Sequence, residues 1–278
     1  MKLIRAVSCW ANEASLMEAL DLAALWGFEA IEGPLSGNPS ELSKAALDPE
    51  KEVLVEINTG CAPGSYVPDL RLTPADHLED FRRQLDAALA IDPLRITVLT
   101  GSDFWDFSET CDFYQQMFGI TGSRSAKVSV ETHRSRPTFH PMRTARLLAE
   151  LPDLVLTLDA SHWCVVCERA ISQLTDWLKP LEPRIGHIHA RIGYDQGPQV
   201  PDFESPWHRD DFNGHIDCWK RIAAIHAESG VEFLTITPEF GPDSYLHVDP
   251  VTGAPLNDLR KLNRHMGDIL PNQLGLTV

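Results

Sequence analysis

Four segments of this chain carry side chains that bind cations near their ends: Ser129-Val130-Glu131-Thr132-His133, Thr157-Leu158-Asp159-Ala160-Ser161-His162, His187-Ile188-His189-Ala190-Arg191 and Thr237-Pro238-Glu239-Phe240. Each closes a short aliphatic or β-branched run, so each reads as the end of a β-strand. Residues two apart on a strand share a face. Ser129 with Glu131, Thr157 with Asp159, His187 with His189 and Thr237 with Glu239 therefore fall on one side. Val128, Val130, Leu156, Leu158 and Ile188 fall on the other, where helices would pack. Glu131, Asp159, His189 and Glu239 make a mixed oxygen and nitrogen set suited to one divalent ion (Mn²⁺, Mg²⁺, Co²⁺ or Zn²⁺). Three carboxylates converging with no cation would repel one another and raise their own pKa values. A single acidic residue here reads better as a solvated strand-end group; four candidate ligands in register argue for a shared ion.

The elements that must position these residues alternate. Candidate strands cover 3–9, 29–33, 52–58, 95–100, 127–132, 154–159, 185–190 and 233–238, with helical patterns including 13–26, 75–90, 142–150, 168–178 and 215–228. In the second of these helices Leu78, Phe81, Leu85, Ala88 and Leu89 recur at three- and four-residue spacing and share a face. Eight βα units with no linker or charge block between them predict a single (β/α)8 TIM barrel over residues 1–278. A doubly wound sheet would want a glycine-rich turn after an early strand, where this chain has Trp10-Ala11-Asn12-Glu13. In a barrel, chemistry gathers where strands end, which is where the four candidate ligands lie.

Bulk properties exclude several classes. The 278 residues carry 24 Lys and Arg against 40 Asp and Glu, a formal net charge of −16, and no basic stripe that would engage a nucleic acid. No apolar run reaches the ~20 residues of a membrane span and none resembles a signal peptide, so a cytoplasmic protein without a membrane partner is expected. The six cysteines then read as reduced thiols. Cys164-x-x-Cys167 lacks the second pair a zinc site needs and is expected to pack at the start of a helix.

Glu131-Thr132-His133, Asp159 with His162 three residues on, Gly186-His187-Ile188-His189 and Pro238-Glu239-Phe240-Gly241-Pro242 resemble the sugar phosphate isomerase/epimerase family of the xylose isomerase-like barrels, across residues 4–270. That family includes ketose 3-epimerases, hydroxypyruvate isomerases and inosose dehydratases. The resemblance implies one divalent metal ion on Glu131, Asp159, His189 and Glu239, a substrate contact from His162, and a homodimer or homotetramer. The sequence departs from the epimerase pattern after the metal histidine, where Arg191 leads into a long loop, Gly193 to Trp207.

A dication bridging two oxygens of a hydroxy-ketone acidifies the intervening C–H and stabilises an enediolate. Carboxylates on opposite sides of that carbon can remove and return the proton, so Glu131 and Glu239 are the candidate catalytic acid/base pair, with His162. Candidate substrate contacts are His133, His162, Arg191, Glu56 and Trp10; Glu32 and Asn58 can also line the pocket, and His187 reads as a buried support. Arg134, Arg136 and Arg191 can hold a carboxylate or phosphate, since guanidinium pairs bidentately with either. The expected function is a metal-dependent sugar isomerase or epimerase acting on a small carbohydrate or keto-sugar. The alternatives are a lyase or dehydratase, a hydrolase using activated water, and a non-catalytic sugar- or metal-binding barrel; an endonuclease IV-like repair enzyme conflicts with the charge.

Overall fold

Eight parallel strands pair in the order β1 to β8 and close on themselves, in a computed structural model that describes residues 1–34, 50–62, 65–122 and 127–278. They are β1 (Lys2–Ser8), β2 (Ala30–Pro34), β3 (Glu52–Asn58), β4 (Arg95–Leu99), β5 (Val128–Glu131), β6 (Leu156–Leu158), β7 (Ile185–Ala190) and β8 (Phe233–Pro238). The α-helices are α1 (Leu16–Trp26), α2 (Pro74–Leu89), α3 (Phe107–Gly122), α4 (Pro141–Glu150), α5 (Ala160–Cys167), α6 (Thr175–Leu178), α7 (Arg209–Glu228) and α8 (Leu259–Leu274). The fold class is the expected (β/α)8 barrel.

Helix starts follow local chemistry. Ser15 and Glu18 form a capping box before α1, and Thr73 and Asp76 do so before α2, with Pro74 at the first helical position where its missing N–H costs nothing. The α2 face carrying Leu78, Phe81, Leu85 and Ala88 is buried, as its spacing predicts; burying each large member contributes roughly 1.5–3 kcal/mol. Outward strand residues such as Val130, Leu156, Leu158 and Ile188 join the main core under the helices. Ala6, Ala30 and Leu54 form a separate small cluster. They lie two residues before Ser8, Glu32 and Glu56, so they fill the barrel interior below the site.

The chain from 160 to 178 differs from the expected helix at 168–178. Asp159 caps α5 directly after β6, and Glu168 terminates it in the left-handed conformation at φ 50°. A 3₁₀ turn at Ile171–Leu174 and the short α6 follow. Cys164-x-x-Cys167 thus closes a helix instead of opening one; both thiols are buried and free. Helix α7 begins at Arg209 rather than at 215, and α3 and α8 lie in stretches outside the helical patterns picked out above. Among the described residues, no helix is long and apolar enough to cross a membrane.

Candidate metal centre

Glu131 ends β5, Asp159 follows β6, His189 lies near the end of β7 and Glu239 follows β8. One potential ligand atom from each lies within 4.8 Å of the others, and the four are only 0–5% exposed. The side chains expected to share an ion are therefore brought together. Nδ1 of His189 stands 3.2 Å from Glu239 Oε2 and 3.6 Å from Glu131 Oε1, yet makes no hydrogen bond among the described residues. Burial opposes a charge on this ring, but Glu239, Glu32 and Glu131 outweigh it and hold its proton well above the usual histidine range. A dication would take that proton's place at Nδ1, so the residues fit a divalent ion. Burial pushes the Glu131 carboxyl up to about 7, against the pull of His189.

The site stands on a buried polar floor. Glu32, on β2, is fully buried and accepts hydrogen bonds from Thr97 Oγ1 at 3.1 Å and from Thr237. His187 Nε2 lies 3.2 Å from one of its oxygens and His189 Nε2 3.4 Å from the other. His187 is anchored on its other side by Thr235 Oγ1 at 2.7 Å. Although burial opposes its ionisation, Glu32 is held well below the usual carboxylate range by the two histidines. With an ion in place of the Nδ1 proton, an ionised Glu32 would keep the remaining His189 proton on Nε2 and leave the Nδ1 lone pair toward the ligand set, as outer-shell carboxylates do in metal sites. Glu32 therefore lies beneath the site instead of lining the pocket, and His187 is the support its deeper position predicts. Glu56 is half-buried on the same inward face; burial, then Glu32 and Glu239, hold its carboxyl well above the usual range.

Asp159 is already engaged. Ser161 N–H donates to Oδ1 at 2.9 Å, and Arg191 Nη2 pairs with Oδ2. The reciprocal bonds Asp159 N–H to Thr132 Oγ1 and Thr132 Oγ1 to the Asp159 carbonyl, both 2.9 Å, tie the ends of β5 and β6 together. Arg191 Nη2 also donates to His162 Nε2 at 3.1 Å. Because arginine has no acceptor, that bond leaves the His162 hydrogen on Nδ1. Burial keeps this imidazole neutral by pushing its pKa well down, and its buried Nδ1 has no partner among the described residues. It is a free N–H donor beside the ligand set. His133 packs on it, ring centroids 4.0 Å apart, with Tyr66 behind at 5.4 Å.

Tyr245 covers this corner, a residue that strand and helix periodicity did not single out because it sits in the loop after β8. Its ring lies 5.5 Å from Trp10 and 6.4 Å from His162. Gln199 fixes the loop, accepting from Gly241 N–H at 2.7 Å and donating to the Tyr245 carbonyl at 3.1 Å. A Cβ on Gly241 would stand 2.0 Å from the Trp10 ring, so only glycine lets Trp10 close on this loop. Trp10 is thus at the mouth, whereas Trp163 is buried with its Nε1 on the Thr138 carbonyl and Trp207 is 91% exposed.

Arg136 is not an anion-binding group. It is fully buried, and its guanidinium donates to the carbonyls of Thr59, Gly101 and Tyr66 at 3.1, 2.9 and 2.8 Å and to Asn58 Oδ1 at 2.6 Å. It clamps the loops after β3 and β4, and Asn58 is spent on it. Replacing it by Met is expected to lower stability by about 3–5 kcal/mol, since buried acceptors lose a charged donor; urea denaturation with an unchanged m-value would show it. A smaller or absent loss would assign the clamp to other contacts.

His77 gives the same loops a pH dependence. Its Nδ1 accepts from Gly101 N–H at 3.3 Å and lies 2.9 Å from Thr59 Oγ1, and burial lowers its pKa to about 4 from 6.5. The unfolded chain takes up a proton below about pH 6.5 that the folded chain refuses. Stability from this residue is full above pH 6.5 and is lost as pH falls toward 4. Thermal midpoints measured across that window should drop, and less steeply for His77→Gln; parallel slopes would exclude His77 as the cause.

No protein-family model matches the chain, and no curated protein matches it. Solved structures do, several of them along almost their whole length. A xylose isomerase-like TIM barrel protein from Mycobacterium smegmatis in complex with magnesium is 12% identical, with 99% of this chain and 98% of that one covered and a TM-score of 0.63. The 3-keto-D-glucoside 4-epimerase of E. coli, in apo form, is 14% identical, with 98% and 99% covered at TM-score 0.59. The probable 3-DHS dehydratase involved in petrobactin synthesis from Bacillus anthracis is 16% identical, with 97% and 99% covered at 0.59. The chain has the xylose isomerase-like barrel fold. Its structural neighbours include xylose isomerase-like sugar phosphate isomerases and epimerases and a dehydratase.

Proposed function

We propose that this chain is a divalent-metal-dependent isomerase or epimerase that removes a proton beside the carbonyl of a small carbohydrate or keto-sugar. The observation that carries the proposal is the buried convergence of Glu131, Asp159, His189 and Glu239, with His189 Nδ1 unpartnered among the described residues and its Nε2 3.4 Å from Glu32. The epimerase among the fold's neighbours supports it. A bound ion would polarise the substrate carbonyl and stabilise the charge that develops as the proton leaves. Glu131 and Glu239 approach His189 from β5 and β8, so a carbon between them is within reach of an acceptor on one side and a donor on the other. The proton passes to one carboxylate and returns from the other. His162 Nδ1–H donates to a substrate oxygen, and Trp10 and Tyr245 keep water from that corner.

The same proton abstraction serves elimination when a leaving group sits on the β carbon, and the dehydratase neighbour favours a lyase as the second reading. Metal-loaded protein in D₂O with ketoses, hydroxy-keto acids, inososes and 3-keto-glycosides, followed by proton NMR, separates the two. Loss of a C–H signal beside a carbonyl supports the isomerase; vinylic signals move the chain to the lyases. Metal binding without exchange or elimination on any of these would overturn both.

A further inference from the structure

Among the described residues, Arg191 and Arg134 keep unused donors, and both guanidinium groups lie beside one tyrosine ring. Arg191 is 2% exposed; its Nε donates to Ser161 Oγ at 3.1 Å and its Nη2 serves Asp159 and His162. Its Nη1 is buried with no partner among the described residues. A buried, unpaired nitrogen of a charged group is costly, and an acceptor from a ligand removes the cost. The Arg191 guanidinium carbon lies 4.5 Å from the Tyr245 ring centroid, and that of Arg134 lies 4.9 Å from the same centroid. Arg134 enters no ion pair among the described residues, in a chain whose acidic side chains outnumber the basic by 40 to 24. Arg136, by contrast, spends both Nη atoms on loop carbonyls, Asn58 and Cys61, and only its buried Nε lacks a partner among the described residues.

We infer that Arg191 Nη1 and the Arg134 guanidinium form an oxyanion subsite beside the ligand set, so the substrate is an acidic sugar or keto acid bearing a carboxylate or phosphate. The inference rests on the proposed active site. Arginine suits both groups because its planar donors match their oxygens.

Glucuronate, glucose 6-phosphate and glucose serve as probes, titrated calorimetrically into the full-length protein with and without Mn²⁺ at matched ionic strength. The expected result is that one of the acids binds at least about tenfold more tightly than glucose in both conditions; which acid does so identifies the group. Arg134→Gln, with its far-UV spectrum and thermal midpoint unchanged, should cut the preference to about threefold or less, and Arg191→Lys should weaken it too because the planar fork is lost. Equal binding of acid and neutral sugar, no binding of either acid, or a preference that survives Arg134→Gln overturns the subsite, as does a preference that appears only with Mn²⁺ and is then owed to the ion. If deuterium exchange fails but the Arg134-dependent preference holds, the enolisation proposal falls and the subsite stands.

Discussion

Glu239→Gln is expected to reduce substrate proton exchange by about 10²–10⁴-fold and to leave the barrel folded. The amide keeps the size of the side chain, and the backbone around it is held independently, by Phe240 N–H on Asn263 Oδ1 at 2.7 Å and by Asn263 on the Phe240 carbonyl at 3.0 Å. What the substitution removes is a negative charge 3.2 Å from His189 Nδ1 and a base that accepts a proton. Initial rates of exchange, measured beside Mn²⁺ affinity, check it. A rate near wild type with metal still bound would take Glu239 out of the reaction.

The second large effect is expected at a residue that does not touch the candidate ion. Glu32→Gln should weaken divalent-metal binding by about 10–100-fold, the range seen when outer-shell partners of metal ligands are lost. An amide offers the two histidine Nε2 atoms one acceptor where the carboxylate offers two, and its NH₂ faces either a histidine or the hydroxyls of Thr97 and Thr237. His189 is then free to move its proton to Nδ1, the atom that faces the ligands. Glu32→Ala should in addition cost about 3–5 kcal/mol of stability by stranding buried polar partners. Manganese titration followed by electron paramagnetic resonance, together with urea denaturation, reads both. Wild-type affinity in Glu32→Gln would mean that the imidazole is oriented by packing alone.

Much of this was legible in the sequence because strands announce themselves locally. The β-branched runs at 52–58 and 185–190 match β3 and β7, and period-two alternation is enough to place Glu131, Asp159, His189 and Glu239 on one side. Ranges slipped where a single side chain sets a boundary: strand six stops at Leu158 because Asp159 turns to cap α5. Glu168, in the left-handed conformation, breaks what the residue pattern renders as one helix. Partner choice over long sequence distance was not legible at all. Nothing in the text around Glu32 says that it will meet residues 155 and 157 positions away. Nothing around Arg136 distinguishes it from Arg134, yet one is spent on loop carbonyls and the other faces Tyr245. Loops such as the one carrying Tyr245 have no period to read.

Asp159 holds two offices, accepting the Ser161 N–H at the head of α5 while standing among the candidate ligands. Asparagine caps a helix about as well as aspartate but brings no charge to a cation. A descendant of this chain that exchanged Asp159 for asparagine would keep the cap, yet it would strip the buried Arg191 of its partner charge and the candidate ion of a ligand charge at one stroke. Drift at this position is therefore opposed twice over, by selection on folding through Arg191 and by selection on whatever reaction the ligand set serves.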